Sequence, residues 1–137
     1  MNRLNEFAQL LVSSWSLANG DQKRIPSSPG ILDKALQGAL NAGAFPGWAR
    51  QELHFVDGRM GLQCIELPAI LEWAQRGQLT SAANPSYRFT EVQATQRVAR
   101  ILLRRLGVPE QDALTWGRAL KSALEQAVEQ EKAFQPV

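Results

Sequence analysis

The chain has 137 residues, of which 45% are hydrophobic and 20% are charged, and it contains one cysteine. This composition excludes a largely disordered chain and an internal disulfide bond, and it predicts one globular domain, residues 1–137, with a buried core. The 15 basic and 13 acidic residues leave a net charge of +2, which requires neither a nucleic-acid nor a membrane partner.

A first helix is predicted over residues 3–18, because apolar residues recur there every three or four positions and stop before Asn19-Gly20. The apolar run at residues 7–12 is short and follows a polar, charged stretch. We therefore expect no signal peptide and no membrane-spanning segment, and we expect the protein to be cytoplasmic.

Polar residues 21–28 predict a surface connection to a second helix over residues 29–42, for which Ser28-Pro29 provides a cap and a first-turn proline. Pro46-Gly47 then forces a turn. Residues 48–52 after this turn fit either a short helix or the approach to a strand.

A β-hairpin is predicted over residues 53–67, because Asp57-Gly58 is a strong signal for a two-residue turn. Such a turn pairs Phe55 with Met60 and separates the side chains into two faces. The face predicted to cover the helices carries Leu53, Phe55, Met60, Leu62 and Cys64. The opposite face carries His54, Val56, Arg59, Gly61, Gln63 and Ile65.

The segment after the hairpin begins with a helix predicted over residues 68–76, opened by Pro68 and closed by Gly77. Residues 78–88 show little periodicity and contain a proline. They form the longest predicted loop.

The C-terminal third is predicted to form a helical hairpin over residues 90–132, with a break at Gly107-Val108-Pro109. Thr90 is the predicted N-cap, because Gln93 follows it at capping-box spacing. We expect the two helices to lie side by side and to share their apolar faces. The inward face of the first carries Val92, Val98, Ala99, Leu102, Leu103 and Leu106. The second carries small residues that allow another helix to approach closely, namely Ala113, Gly117 and Ala127. The predicted fold class is mainly α (α+β), with five to six helices and one β-hairpin.

Catalytic candidates are few, since His54 is the only histidine and Cys64 the only cysteine. The hairpin register places them on opposite faces, which argues against a nucleophile and base pair. Glu66 and Glu72 are expected to be solvated rather than to act as an acid pair. No metal-ligand spacing and no phosphate-binding loop is present. We expect no enzyme, no metal and no cofactor; an enzyme with a site that no sequence pattern marks is a third alternative.

The most informative functional feature is a local excess of arginine. Residues 88–105 contain five arginines and one acid, a surplus of four. Arg97, Arg100 and Arg104 are predicted to project from one helix face over about 10 Å, at 1.5 Å per residue, with Arg105 near its edge. The plain interpretation is a solvated surface, and the functional one is a surface that docks an acidic partner.

A nucleic-acid-binding regulator with a winged-helix-like hairpin is the alternative interpretation, because two helices and a hairpin follow one another in a suitable order. Trp48, beside the Pro-Gly turn, is a candidate anchor in a partner surface. The C-terminal helix is a candidate contact between copies in a homo-oligomer. Our main hypothesis is a non-catalytic interaction or regulatory protein that binds an acidic protein or nucleic acid. Its candidate binding residues are Trp48, Arg50, Arg59, Arg88, Arg97, Arg100, Arg104 and Arg105.

Overall fold

A computed structural model of the chain describes residues 2–20, 24–28, 30–59, 61–81 and 89–134. Within these ranges the fold is mainly α with some β, as predicted, and has six helices and two small antiparallel sheets of two strands each. The elements are α1 (Arg3–Asn19), β1 (Arg24–Pro26), α2 (Ile31–Asn41), α3 (Gly47–Glu52), β2 (Phe55–Gly58), β3 (Gly61–Cys64), α4 (Leu67–Arg76), β4 (Phe89–Glu91), α5 (Gln96–Leu106) and α6 (Glu110–Phe134).

Helix α1 is the centre of the fold, because it packs against α4, α5 and α6. Every residue from Phe7 to Leu17 except Gln9 is buried, including three serines. Helix α6 crosses α1 at Gly117, where a Cβ atom would lie only 2.2 Å from the Ser14 carbonyl oxygen. The predicted close approach of a helix to the small residues of α6 is confirmed, and the approaching helix is α1.

The predicted side-by-side packing of the two C-terminal helices is wrong. Helices α5 and α6 contact each other little; α5 packs mainly on α1, whereas α6 packs on both α1 and α2. Gly107 ends α5 in the left-handed conformation, with φ of 72°, as the break between the helices required. The turn therefore has the predicted chemistry, but the main packing partners of the two helices are α1 and α2, from the N-terminal part of the chain.

Helix α5 also begins later than predicted. Its N-cap is Thr95, whose hydroxyl accepts a hydrogen bond from the Val98 N–H at 3.2 Å, and not Thr90. Thr90 lies in β4 and donates to the Ser27 hydroxyl at 2.9 Å. The residues between are extended because the N–H groups of Gln93 and Ala94 donate to the Leu79 carbonyl.

A second small sheet was not predicted. Strand β1 pairs with β4, with Ile25 opposite Thr90, and Thr80 forms an isolated antiparallel bridge with Val92. The prediction of a surface connection is therefore wrong for residues 24–26, and the predicted loop is wrong at Thr80; residues 82–88 lie outside the described ranges. Three-residue strands, one ending in proline, are too short to show alternation in a sequence.

The predicted hairpin is present, but its turn lies two residues further along the chain. Phe55 pairs with Cys64 and Gly58 with Gly61, so the chain reverses between Gly58 and Gly61; Met60, the predicted partner of Phe55, is outside the described ranges. Gly61, with φ of 100°, provides the left-handed conformation beside this turn. A shift of two residues preserves the faces, and Cys64 is buried while His54 is exposed.

The remaining elements agree with the prediction more closely. Helix α2 begins at Ile31 rather than at residue 29, since the Asp33 carboxylate accepts the Gly30 N–H at 3.1 Å. The other carboxylate oxygen of Asp33 accepts a hydrogen bond from the Cys64 N–H at 2.7 Å and so holds β3 on α2. Residues 48–52, for which the sequence allowed a short helix or the approach to a strand, belong to helix α3. Helix α4 has Pro68 in its first turn.

A candidate docking surface on helix α5

Only a narrow strip of α5 is buried. Ala99 and Leu103 have no exposed surface, whereas Val98 is 38% and Ile101 is 44% exposed. The prediction that Val98 faces the core is therefore wrong. Because α5 packs mainly on α1 and makes little contact with α6, the apolar arc of the helix is wider than the surface that covers it.

The exposed isoleucine is surrounded by arginines. Neighbours on a helix surface are three and four residues apart, so Ile101 lies between Arg97 and Val98 on one side and Arg104 and Arg105 on the other. We call these five residues the α5 surface. All five are exposed. None of its three arginines forms an ion pair with a carboxylate of the described residues. The α5 surface thus combines an apolar centre with three available cations.

Arg100 lies beside the α5 surface rather than in its centre. Its Nε is 3.5 Å from Glu110 Oε1 at the start of α6, and both side chains are about half exposed. Exposed pairs of this kind contribute little to stability. The predicted face held Arg97, Arg100 and Arg104 with Arg105 near its edge, whereas in the structure Arg100 is directed towards α6 and Arg97, Arg104 and Arg105 surround Ile101.

A groove of about 680 Å³ adjoins the α5 surface where α5 begins. Arg97, Arg100 and Glu91 are its charged lining residues, and the Glu91 carboxylate lies 3.6 Å from Arg24 Nη2. Ser16 also lines the groove, and its hydroxyl donates to the Ala94 carbonyl at 2.8 Å. Sequence reasoning did not find this groove, because it depends on the unpredicted contact between α1 and the extended residues before α5.

The other predicted binding residues are not part of the α5 surface. The Arg50 guanidinium donates through Nε, at 3.0 Å, and through Nη2 to the Leu40 carbonyl, which binds it to the end of α2. Trp48 is half-buried, packs edge-on against Phe7 and lies 4.5 Å below the Arg3 guanidinium. Both side chains therefore contribute to the fold itself.

The hairpin is also separate from the α5 surface. Arg59 is exposed at its turn, but β3 packs on α2 whereas α5 packs on α1. Arg88 lies outside the described ranges. A winged-helix arrangement, in which the hairpin and the arginine helix act together, has no support from this packing.

The single histidine and the single cysteine meet at one carboxylate. Glu66 Oε2 is 2.7 Å from His54 Nδ1, Oε1 accepts the His54 N–H at 2.7 Å, and Cys64 Sγ lies 3.9 Å from Oε1. Glu66 is therefore not solvated as predicted, since it closes the base of the hairpin. Sequence spacing could not show this, because the contact depends on the turn after β3.

The electrostatics of this cluster do not favour nucleophilic catalysis. Burial is the main factor that raises the pKa of the Cys64 thiol to about 11, so the thiol is protonated at neutral pH. Burial alone would raise the pKa of Glu66, but hydrogen bonds from the His54 amide and ring outweigh it and lower that pKa. A neutral thiol beside a carboxylate lacks the positive environment that activates cysteine.

In the part of the chain that the structure describes, no three His, Cys, Asp or Glu side chains are grouped so as to hold a metal ion. None of the described helices is both long and apolar enough to cross a membrane. Comparisons with protein-family models, curated proteins and solved structures find no match to this chain.

Proposed function

We propose that this protein is a non-catalytic interaction or regulatory protein that docks an acidic protein partner through the α5 surface. The observation that carries the proposal is the exposed Ile101 among three arginines that form no ion pair with any residue the structure describes. Exposed arginines alone are common on helices and need no partner. The combination with an exposed apolar centre is typical of protein interfaces, where arginine is enriched and a desolvated centre provides much of the affinity.

A nucleic-acid partner is the alternative. The three arginines span about 12 Å of helix, which suits phosphate contacts. Phosphates, however, would leave Ile101 and Val98 uncovered, and the structure directs neither Arg50 nor Arg59 to the same surface. An acidic protein with an apolar residue between its carboxylates accounts for all five residues of the α5 surface.

The first experiment separates these two partners. Fluorescence anisotropy with nonspecific duplex DNA is measured over a range of salt concentrations for the wild type and for the variant R97A/R104A/R105A. If DNA is the partner, log K falls with log salt by about 0.9 per phosphate contact, and the triple variant loses roughly three such contacts. We expect no binding with that salt dependence. A steep slope that the triple variant reduces would refute the proposed acidic protein partner.

The second experiment tests the apolar centre. A photo-crosslinking side chain replaces either Ile101 or Arg118, an exposed arginine of α6 that has no ion pair among the described residues. We expect a specific protein adduct from position 101 and none from position 118, and we expect the adduct to disappear when Arg97 and Arg104 are also replaced by alanine. Equal adducts from both positions would refute the proposal.

Cytoplasmic location and self-association through the C-terminal helix remain predictions. The exposed side chains over the last described turns of α6 are polar or charged, namely Ser122, Glu125, Gln126, Glu129, Gln130, Glu131 and Lys132. A stable interface between copies needs an apolar centre. Analytical ultracentrifugation at several protein concentrations tests this prediction, which fails if one species of monomer mass persists throughout.

A further inference from the structure

The charged residues that line the groove at the start of α5 indicate which chemical group of a partner could bind there. Two of its charged side chains are already opposed, since Arg100 faces Glu110 and Glu91 faces Arg24. Arg97 lines the groove and has no ion pair among the described residues. Among the described residues, the groove thus has one cation without an ion pair, Arg97, and one acidic side chain in its lining, Glu91.

This balance suits a single carboxylate better than a phosphate dianion. A carboxylate can accept two parallel hydrogen bonds from one guanidinium and needs no second cation. A dianion would leave about one charge uncompensated near Glu91, at a cost that depends on its distance from that carboxylate. Charge complementarity therefore favours an Asp or Glu side chain of a protein over a phosphorylated residue.

The spacing along α5 adds a second constraint. Arg97 and Ile101 are one turn apart, about 6 Å along the axis, and Arg104 and Arg105 lie another 4.5 to 6 Å further, from a rise of 1.5 Å per residue. A helix laid along α5 would place residues i, i+4 and i+7 at the same intervals. Its residue i would face the groove, residue i+4 would cover Ile101, and residue i+7 would reach Arg104 or Arg105.

We propose that the partner segment is an amphipathic helix with an acid, an apolar residue and an acid at positions i, i+4 and i+7, and that the groove beside Arg97 holds the first carboxylate. This inference depends on the proposed function, because it specifies which acidic partner the α5 surface binds. Arg97 is then a specificity residue, whereas Arg104 and Arg105 provide a more general attraction.

The test uses the full chain and a synthetic helical peptide of about 18 residues, long enough to form a helix alone. The peptide carries Glu, Leu and Glu at positions i, i+4 and i+7 on an alanine and glutamine background. A second peptide has Gln for the first Glu. Amide chemical shifts and dissociation constants are measured for the wild type, R97A, I101S and R118A, the last being the matched arginine control. Circular dichroism verifies that each variant is folded.

We expect the first peptide to shift the amide signals of Gln96 and Arg97 in the wild type. R97A should raise its dissociation constant about tenfold, the scale of one charge-assisted hydrogen-bonded pair, and R118A should change it less than twofold. The peptide with Gln should bind the wild type about tenfold more weakly than the first peptide does, and R97A should weaken it no further. Such coupling between Arg97 and the first Glu is what a general electrostatic attraction would not produce.

Two failures are distinguishable. If I101S weakens binding but the Gln and R97A changes are independent of each other, the groove does not hold the carboxylate, and docking through α5 stands. If the peptide does not bind, the proposed helix is wrong. Docking through α5 itself then depends on the crosslinking from position 101. A phosphoserine peptide that binds more tightly than the Glu peptide would overturn the choice of a carboxylate.

Discussion

Replacing Gly117 with alanine should force apart the two helices on which the fold depends. The added Cβ would lie 2.2 Å from the Ser14 carbonyl oxygen and 2.5 Å from the Ala18 Cβ, whereas ordinary contact begins near 3.4 Å. The difference, 3.4 − 2.2, requires a separation of about 1.2 Å. Both nearest atoms belong to a buried helix, so neither can rotate away as a flexible side chain would.

Two effects decide the magnitude. Overpacking against a rigid neighbour costs typically 1–3 kcal/mol, and the backbone contact here places the cost at or above the upper limit. Alanine in place of glycine returns about 1 kcal/mol through helix propensity. We therefore expect G117A to lower the free energy of unfolding by about 2–3 kcal/mol, which corresponds to roughly 1–2 M in the urea midpoint.

Gly38 provides the matched control. It is exposed in α2, and a Cβ added there would lie 3.6 Å from the Ala123 Cβ, an ordinary contact. G38A should leave stability unchanged or raise it by up to about 1 kcal/mol. Urea unfolding followed by circular dichroism compares the two variants. A midpoint for G117A at or above that of the wild type would show that α1 and α6 do not cross so closely.

Three further predictions concern the cluster at the base of the hairpin. D33A leaves the N–H groups of Gly30 and Cys64 without acceptors and should lower the free energy of unfolding by about 3 kcal/mol in urea unfolding, while an unchanged midpoint would contradict the two hydrogen bonds. Burial favours protonated Glu66, but the hydrogen bonds from His54 outweigh burial, so the pKa of Glu66 in the folded protein lies below the ordinary 4.5. The stabilisation by ionised Glu66 is therefore complete above pH 4.5 and is lost as the pH falls through the lower folded pKa. Thermal unfolding should therefore show a loss of stability below pH 4.5 that E66Q reduces, and equal pH profiles would refute this assignment. The Cys64 thiol, with a pKa of about 11, should resist a disulfide reagent at pH 8 in the folded protein and react at once in urea; rapid reaction of the folded protein would show that it is accessible.

Periodicity was sufficient to predict most helices but not the place where α5 begins. Thr90 and Thr95 both offer a hydroxyl for a helix N-terminus, and the capping-box spacing favoured Thr90. The chain uses Thr95 because the residues before it donate their N–H groups to Leu79, a contact across more than ten residues. A local sequence pattern cannot show that an acceptor elsewhere in the chain will take the hydrogen bonds that a helix starting at Thr90 would need.

The hairpin shows the same limit in a different form. Asp57-Gly58 and the glycine at position 61 both allow a turn. The local sequence does not decide between the two turn positions, because the choice depends on how the hairpin packs on the helices. The Asp33 carboxylate, by accepting the Cys64 N–H, fixes which residue of β3 lies on α2. The faces could be predicted because alternation survives a shift of two residues, whereas the pairing depended on a side chain from another helix.

The apolar centre of the α5 surface follows from a helix packing that the sequence did not predict. Had α5 lain against α6 as predicted, Val98 would be buried and Ile101 would be the only apolar residue of the α5 surface left in water. Packing mainly on α1 leaves both Val98 and Ile101 exposed, at a free-energy cost of about 25 cal/mol for each Å² of apolar surface left in water. The three surrounding arginines repel a second copy of the same surface, so we expect them to protect this apolar patch from self-association. If replacement of all three arginines by alanine left the molecular mass in solution the same as that of the wild type at high protein concentration, that protective role would be excluded.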